Sequence, residues 1–106
     1  MKLRKSEHMA LMEALRRRTR FIGDPTGGRH ITAAWTGLGS ATYYKQAQEG
    51  GYMEIATAAS SGFSTWWRLT WKGAVIVAFW IGQGFDYKTI EANKIPPAEI
   101  PETVLA

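Results

Sequence analysis

The stretch GLGSATYYKQAQEGGYME, residues 37–54, decides how this chain is read. Ser40 has the short polar side chain of a helix N-cap, and Ala41, Thr42, Tyr43, Tyr44, Lys45, Gln46, Ala47 and Gln48 follow it without a Gly or Pro. The spacing therefore predicts a helix opening at Ser40. Gly50-Gly51 closes it, because glycine takes up the left-handed backbone of a helix end at no steric cost. Upstream, Ala33 and then Gly37 stand at the positions where two short helices must cross closely: a small residue lets them approach and a Gly turns the chain. This is helix-turn-helix spacing. Trp35, Thr36 and Gly37 are poor helix formers, so the first helix of the pair is expected to be about one turn long. In the second helix one of Tyr43 and Tyr44 should pack with Ala47 and the other stay free, leaving Thr42, Lys45 and Gln46 exposed on a common side.

Working outward, Met53, Ile55 and Thr57 alternate with Tyr52, Glu54 and Ala56, the period of a half-buried strand over 52–58. Ser60, Ser61 and Gly62 make a turn. On the return strand Phe63, Thr65, Trp67 and Leu69 line one face, and Ser64, Trp66 and Arg68 line the other. Thr70 is placed to cap a further helix from Trp71 to about Gly82 or Gly84. A third strand over Ala74–Ile81 is the competing reading of a run rich in Val, Ile and aromatics. Helix is preferred because Trp71, Val75, Ala78 and Phe79 recur at helical spacing. Trp67 and Trp80 read as core, whereas Trp66 shares an outward face with Arg68, where a large aromatic marks an interaction surface.

At the other end, residues 4–20 read as a helix with Leu11 and Leu15 four apart and Glu13 paired to Arg17. Gly23, Pro25, Gly27 and Gly28 then break the chain, and Arg29 opens a short extended segment. A phosphate loop is a poor reading of these glycines, since no Gly-Lys-Ser/Thr follows. After Phe85 the composition changes: Pro96, Pro97 and Pro101 forbid a regular helix, so 95–106 is expected to be extended or mobile. Residues 1–85 thus form one domain and residues 86–106 a Pro-containing tail.

Helix, short strand, helix-turn-helix, hairpin, helix is the order of a winged helix-turn-helix domain, an α+β fold of three or four helices with a two- or three-stranded wing. The segment from Gly37 to Tyr44, ending at Gly50-Gly51-Tyr52-Met53-Glu54, resembles the recognition-helix region of MarR-like regulators. It is also similar to small AlpA-like and excisionase-like prophage regulators. Leu69-Thr70-Trp71-Lys72-Gly73 matches the Leu-Thr-x-Lys-Gly with which many winged-helix proteins leave the wing. The resemblance covers residues 29–82. It departs from the MarR-like pattern in a recognition helix about one turn shorter and a wing without an Arg-rich tip.

What the resemblance implies is a small sequence-specific DNA-binding protein, a transcriptional regulator of bacterial or phage type. The alternative is a winged-helix-like protein-interaction module, an inhibitor or adaptor of another complex, because fold does not fix function. On the DNA reading the second helix enters the major groove of double-stranded DNA. Gln46 would read adenine, Lys45 would reach a phosphate or guanine, and Ser40 and Thr42 would anchor phosphates. Arg29 and the wing's Arg68 would add backbone contacts. The bland reading of these side chains is a solvated helix face.

Charge supports a polyanionic partner for part of the chain. Residues 1–85 hold eleven Lys and Arg against five Asp and Glu, and residues 86–106 two against four. Arg16, Arg17, Arg18 and Arg20 fall within five residues, which fits either phosphate contact or cations at a helix C-terminus. With 106 residues, 45% hydrophobic and 21% charged, the chain has room for a single folded domain. Zero cysteines exclude a disulfide framework and a thiolate nucleophile. His8 and His30 have no partner at the spacing of a triad or metal motif, and Asp24 and Asp86 read as caps, so no enzyme activity, metal or cofactor is expected. The longest apolar run, Ala74–Ile81, is far short of the ~20 residues of a membrane span. No signal-type apolar segment follows Lys2, Arg4 and Lys5 either, and the expectation is a cytoplasmic protein. Because the helix over 71–82 is apolar nearly all round, something must cover it. A homodimer is the preferred cover, and a tail folding back through Ile95 and Ile100 is the rival.

Overall fold

A computed structural model of the chain describes residues 1–20, 41–55 and 67–106. The expected loop at 23–28, the extended segment at Arg29, the first helix of the helix-turn-helix with Ala33 and Gly37, the capping Ser40 and the hairpin tip with Trp66 lie outside the described residues. Those described form α1 (Lys5–Arg20), α2 (Ala41–Glu49), β1 (Met53–Ile55), β2 (Trp67–Leu69), α3 (Trp71–Gly82), α4 (Tyr87–Glu91) and a 3-10 turn (Glu102–Leu105). The chain is α+β, with four α-helices and a two-stranded antiparallel sheet among the described residues.

Helix ends are set locally. Gly51 has φ +82°, and the Tyr52 and Gly51 amides donate to the carbonyls of Ala47 and Gln48, so α2 closes in a Schellman motif with Tyr52 and Ala47 both buried. Gly84 (φ +96°) and Asn93 (φ 62°) close α3 and α4 in the same way. Thr70 caps α3 by accepting from the Gly73 amide at 3.2 Å. Asp86 and Thr89 make a reciprocal capping box on α4, the role expected of Asp86.

Leu11, Leu15, Ala10 and Ala14 give α1 its buried stripe, against which α2 lays Tyr44 and Ala47. Tyr44 stacks on Trp67 of β2 at 5.7 Å between ring centroids. The hairpin register pairs Met53 with Leu69, Glu54 with Arg68 and Ile55 with Trp67. Met53, Trp67 and Leu69 thus face the core, and Glu54 and Arg68 face out. The alternation predicted over this part of both strands holds.

Residues 74–81 are helix, but the buried stripe of α3 differs from the expected one. It is Gly73, Ile76, Val77 and Trp80; Trp71 is 71% exposed and Ala78 is also exposed. Spacing alone fixes a helix but not which of several apolar stripes faces in, and the close approach of Gly73 to the Tyr52 carbonyl decides it. A Cβ on Gly73 would run into that backbone oxygen. Gly73→Ala is therefore expected to destabilise by about 1–3 kcal/mol through overpacking. The ordinary effect of this change inside a helix is a gain of about 1 kcal/mol. Urea unfolding reads the sign directly, and a stabilised variant would refute the close contact.

The C-terminal segment also corrects the expectation of an extended or mobile tail. The prolines do prevent a long helix, yet α4 forms ahead of them, Pro96 and Ile100 are fully buried, and Val104 and Leu105 pack on the core. Leu3 donates to Ala98 and Ile100 to Met1, which ties residues 98–100 to the start of the chain. The Tyr87 amide donates to Thr19 Oγ1 at 2.8 Å, joining α4 to the end of α1. Part of the cover for α3 thus comes from the tail itself, through the 3-10 turn of Glu102–Leu105, while Ile100 is buried in the core and Ile95 stays 47% exposed.

Candidate functional site

α2 presents one face to α1 and the hairpin and the other to solvent, as a short helix with buried residues three apart must. Tyr44 and Ala47 face in, Tyr43 is half-buried, and Lys45, Gln48 and Glu49 are exposed. Gln46 is half-buried, a correction to its expected exposure; it lies beside Ala47 at the edge of the packed side, and its backbone carbonyl accepts from Arg4 Nη2 at 3.0 Å. Thr42 belongs to the first turn of α2. Arg29 and Ser40 fall outside the described residues.

Arg68 is exposed on β2 as expected, but it is not a free cation. Its Nε donates to Glu54 Oε1 across the hairpin at 2.7 Å, with both side chains 48% exposed. The pair satisfies the cross-strand register and neutralises the local charge, and in solvent it contributes little to stability. Gln48 and Glu49, exposed beside Lys45, were not among the residues that the sequence singled out. Their spacing of three and four from Lys45 is the available signal.

The arginine run of α1 is likewise partly spoken for. Glu13 accepts from both Arg16 and Arg17, and Arg16 also lies 4.0 Å from Glu91 of α4. Burial pushes the Glu13 carboxyl up, but the hydrogen bonds and charges of Arg16 and then Arg17 outweigh it and hold it below its ordinary value. Arg18 differs: burial pulls its guanidinium below the ordinary value, and Nη1 is buried without a hydrogen-bond partner. Arg16, Arg17 and Arg18 are therefore not one uniform patch in space.

At the far end of α2 sits a second polar group that the sequence did not single out. Glu7 is 5% exposed; its Oε1 accepts the Arg4 amide at 2.7 Å, half of a capping box for α1, and its Oε2 lies 3.4 Å from Arg4 Nη2. Lys72 Nζ donates to the Gly50 carbonyl at 3.2 Å and stands over the Tyr52 ring at 4.5 Å. Burial, and then the charge of Glu7, push the Tyr52 phenol above its ordinary value.

His8 donates from Nε2 to the Pro96 carbonyl at 2.6 Å and meets Trp80 edge-on at 5.6 Å. It serves packing between α1 and the C-terminal segment. No cluster of three or more His, Asp or Glu able to hold a metal ion occurs among the described residues. No helix among them is long and apolar enough to cross a membrane. No family model, curated protein or solved structure matches this chain.

Proposed function

We propose that the chain is a winged helix-turn-helix protein that binds double-stranded DNA through α2, as a transcriptional regulator of bacterial or phage type. The observation that supports this most is the continuity of α2, its glycine closure, the hairpin and the Thr70-capped α3. α2 is fixed on α1 by Tyr44 and Ala47 and keeps Lys45 on its solvent side. In that role Lys45 would take a phosphate or guanine, and half-buried Gln46 would read a base. Arg29, Ser40 and Thr42 stay candidates for phosphate contact, and Arg68 would contribute after releasing Glu54. A homodimer would place two copies of α2 on successive turns of the groove.

The protein-interaction reading keeps one observation of its own. Trp71 stands 71% exposed on a side of α3 that continues through half-buried Val75 and exposed Ala78, with no charge among them. Salt separates the two. DNA binding measured by anisotropy on a mixed-sequence duplex should fall with a log–log slope near −0.9 per phosphate, and Lys45→Ala should flatten that slope by about one contact. Gln46→Ala should relax preference at a single base position by about 1–3 kcal/mol in selection from random duplexes. Equal affinity of wild type and the double variant at low salt would turn the assignment to a protein partner.

A further inference from the structure

We infer that Arg4 and Lys72 are positioning residues for α2, two cations from different elements of the fold that hold the C-terminal end of that helix through backbone carbonyls. The inference rests on the DNA reading for its functional consequence, and on geometry alone for the clamp itself.

A helix C-terminus is the negative end of the helix dipole, so a cation placed there is favourable even where, as at Gln46, the carbonyl already accepts a backbone amide. At α2 two such cations arrive from distant sequence. Arg4, just before α1, donates from Nη2 to the Gln46 carbonyl at 3.0 Å and stands 3.9 Å from the Glu49 carboxylate. Lys72, in the first turn of α3, donates to the Gly50 carbonyl at 3.2 Å. Each is itself anchored: Arg4 by buried Glu7, and Lys72 by the face of the Tyr52 ring. Gly50 permits the arrangement, because a Cβ there would run into Glu7 Oε2 and the Tyr52 ring. Thr70 Oγ1 donates to the Gly51 carbonyl at 2.6 Å and completes the cluster.

The consequence is that the C-terminal end of α2 is tied both to the start of α1 and to α3. α2 has nine residues and is too short to hold its own shape in water. Among the described residues its inward anchors are buried Tyr44 and Ala47 and half-buried Tyr43. Removing a cation at the C-terminal end should loosen α2 ahead of the core, a local opening rather than a global one.

The test replaces each cation by methionine, which keeps the apolar stem. Arg4→Met and Lys72→Met are compared with wild type by amide hydrogen exchange, and by anisotropy on a mixed-sequence DNA duplex across salt concentrations. Lys72→Met guards against a folding defect, since Arg4→Met also leaves Glu7 without its cation. Exchange at the amides of α2 should rise roughly two- to fivefold in each variant while those of Leu11 and Ile76 stay unchanged. Affinity for the duplex should fall by a similar factor with the salt slope unaltered. An equal rise at α2 and core amides in both variants, or no rise at all, overturns the clamp. A slope flattened by about 0.9 in either variant means that the residue touches phosphate and also overturns its role through α2. If wild type binds no duplex, the DNA reading fails by itself, and the exchange result still decides the clamp.

Discussion

Trp80→Ala is expected to cost about 3–5 kcal/mol, the largest single loss in the protein. Trp80 is fully buried on the inner stripe of α3, with the His8 ring against its edge and the 98–105 segment packed on the same helix. At about 4–8 °C per kcal/mol for a chain near this size, the melting transition should drop by tens of degrees or vanish. Two controls locate the cause. Trp80→Phe should cost less, because Trp80 Nε1 is buried without a hydrogen-bond partner and the change removes no such bond. Trp71→Ala should fall within about 0.5 kcal/mol of wild type, as an exposed side chain outside any packed contact does. Equal losses at positions 71 and 80 would mean that α3 turns its other stripe inward.

Ile100→Ala is expected to cost about 2–5 kcal/mol in urea unfolding, although it lies between Glu99 and Pro101 in a Pro-rich segment. Ile100 is fully buried in the hydrophobic core, its amide donates to the Met1 carbonyl at 2.7 Å, and the neighbouring Pro101 caps the 3-10 turn that packs on α3. Ile95→Ala supplies the comparison. That side chain is 47% exposed, and its loss should be within about 0.5 kcal/mol. A cost at Ile100 no larger than at Ile95 would show that residues 95–106 are not part of the core and that α3 needs another cover, such as a second copy of the chain.

Both expectations bear on how much could be read in advance. Helix and hairpin signals are short-range, because a cap or a left-handed glycine acts on groups a few bonds away. Thr70 before Trp71, Asp86 before Tyr87, Gly50-Gly51 after Glu49 and the alternation around Met53 and Leu69 are all of this kind, and the described elements follow them. The i,i+4 pair of Glu13 and Arg17 was legible for the same reason. For the candidate site the sequence indicated Lys45 as exposed and Arg68 as outward, but not that Glu54 would neutralise Arg68 or that Gln46 would be half-covered. Those outcomes depend on which strand and which helix lie alongside.

The sequence by itself therefore indicated α1, α2, the paired strands and α3, but not α4 or the 3-10 turn, while tertiary structure decided which apolar stripe is buried and which charges remain available. α3 is apolar on several sides, so periodicity leaves its orientation degenerate; the missing Cβ of Gly73 against the Tyr52 carbonyl selects one. Arg4 and Gln46 are 42 positions apart, and Thr19 and Tyr87 are 68 apart, so no local pattern announces either bond. Ile100 sits among prolines that read as a tail, and only the pairing of residues 98–100 with the start of the chain brings it into the core. Local conformational preference acts within a turn or two of chain, whereas burial is a property of surfaces that meet only after the chain has folded.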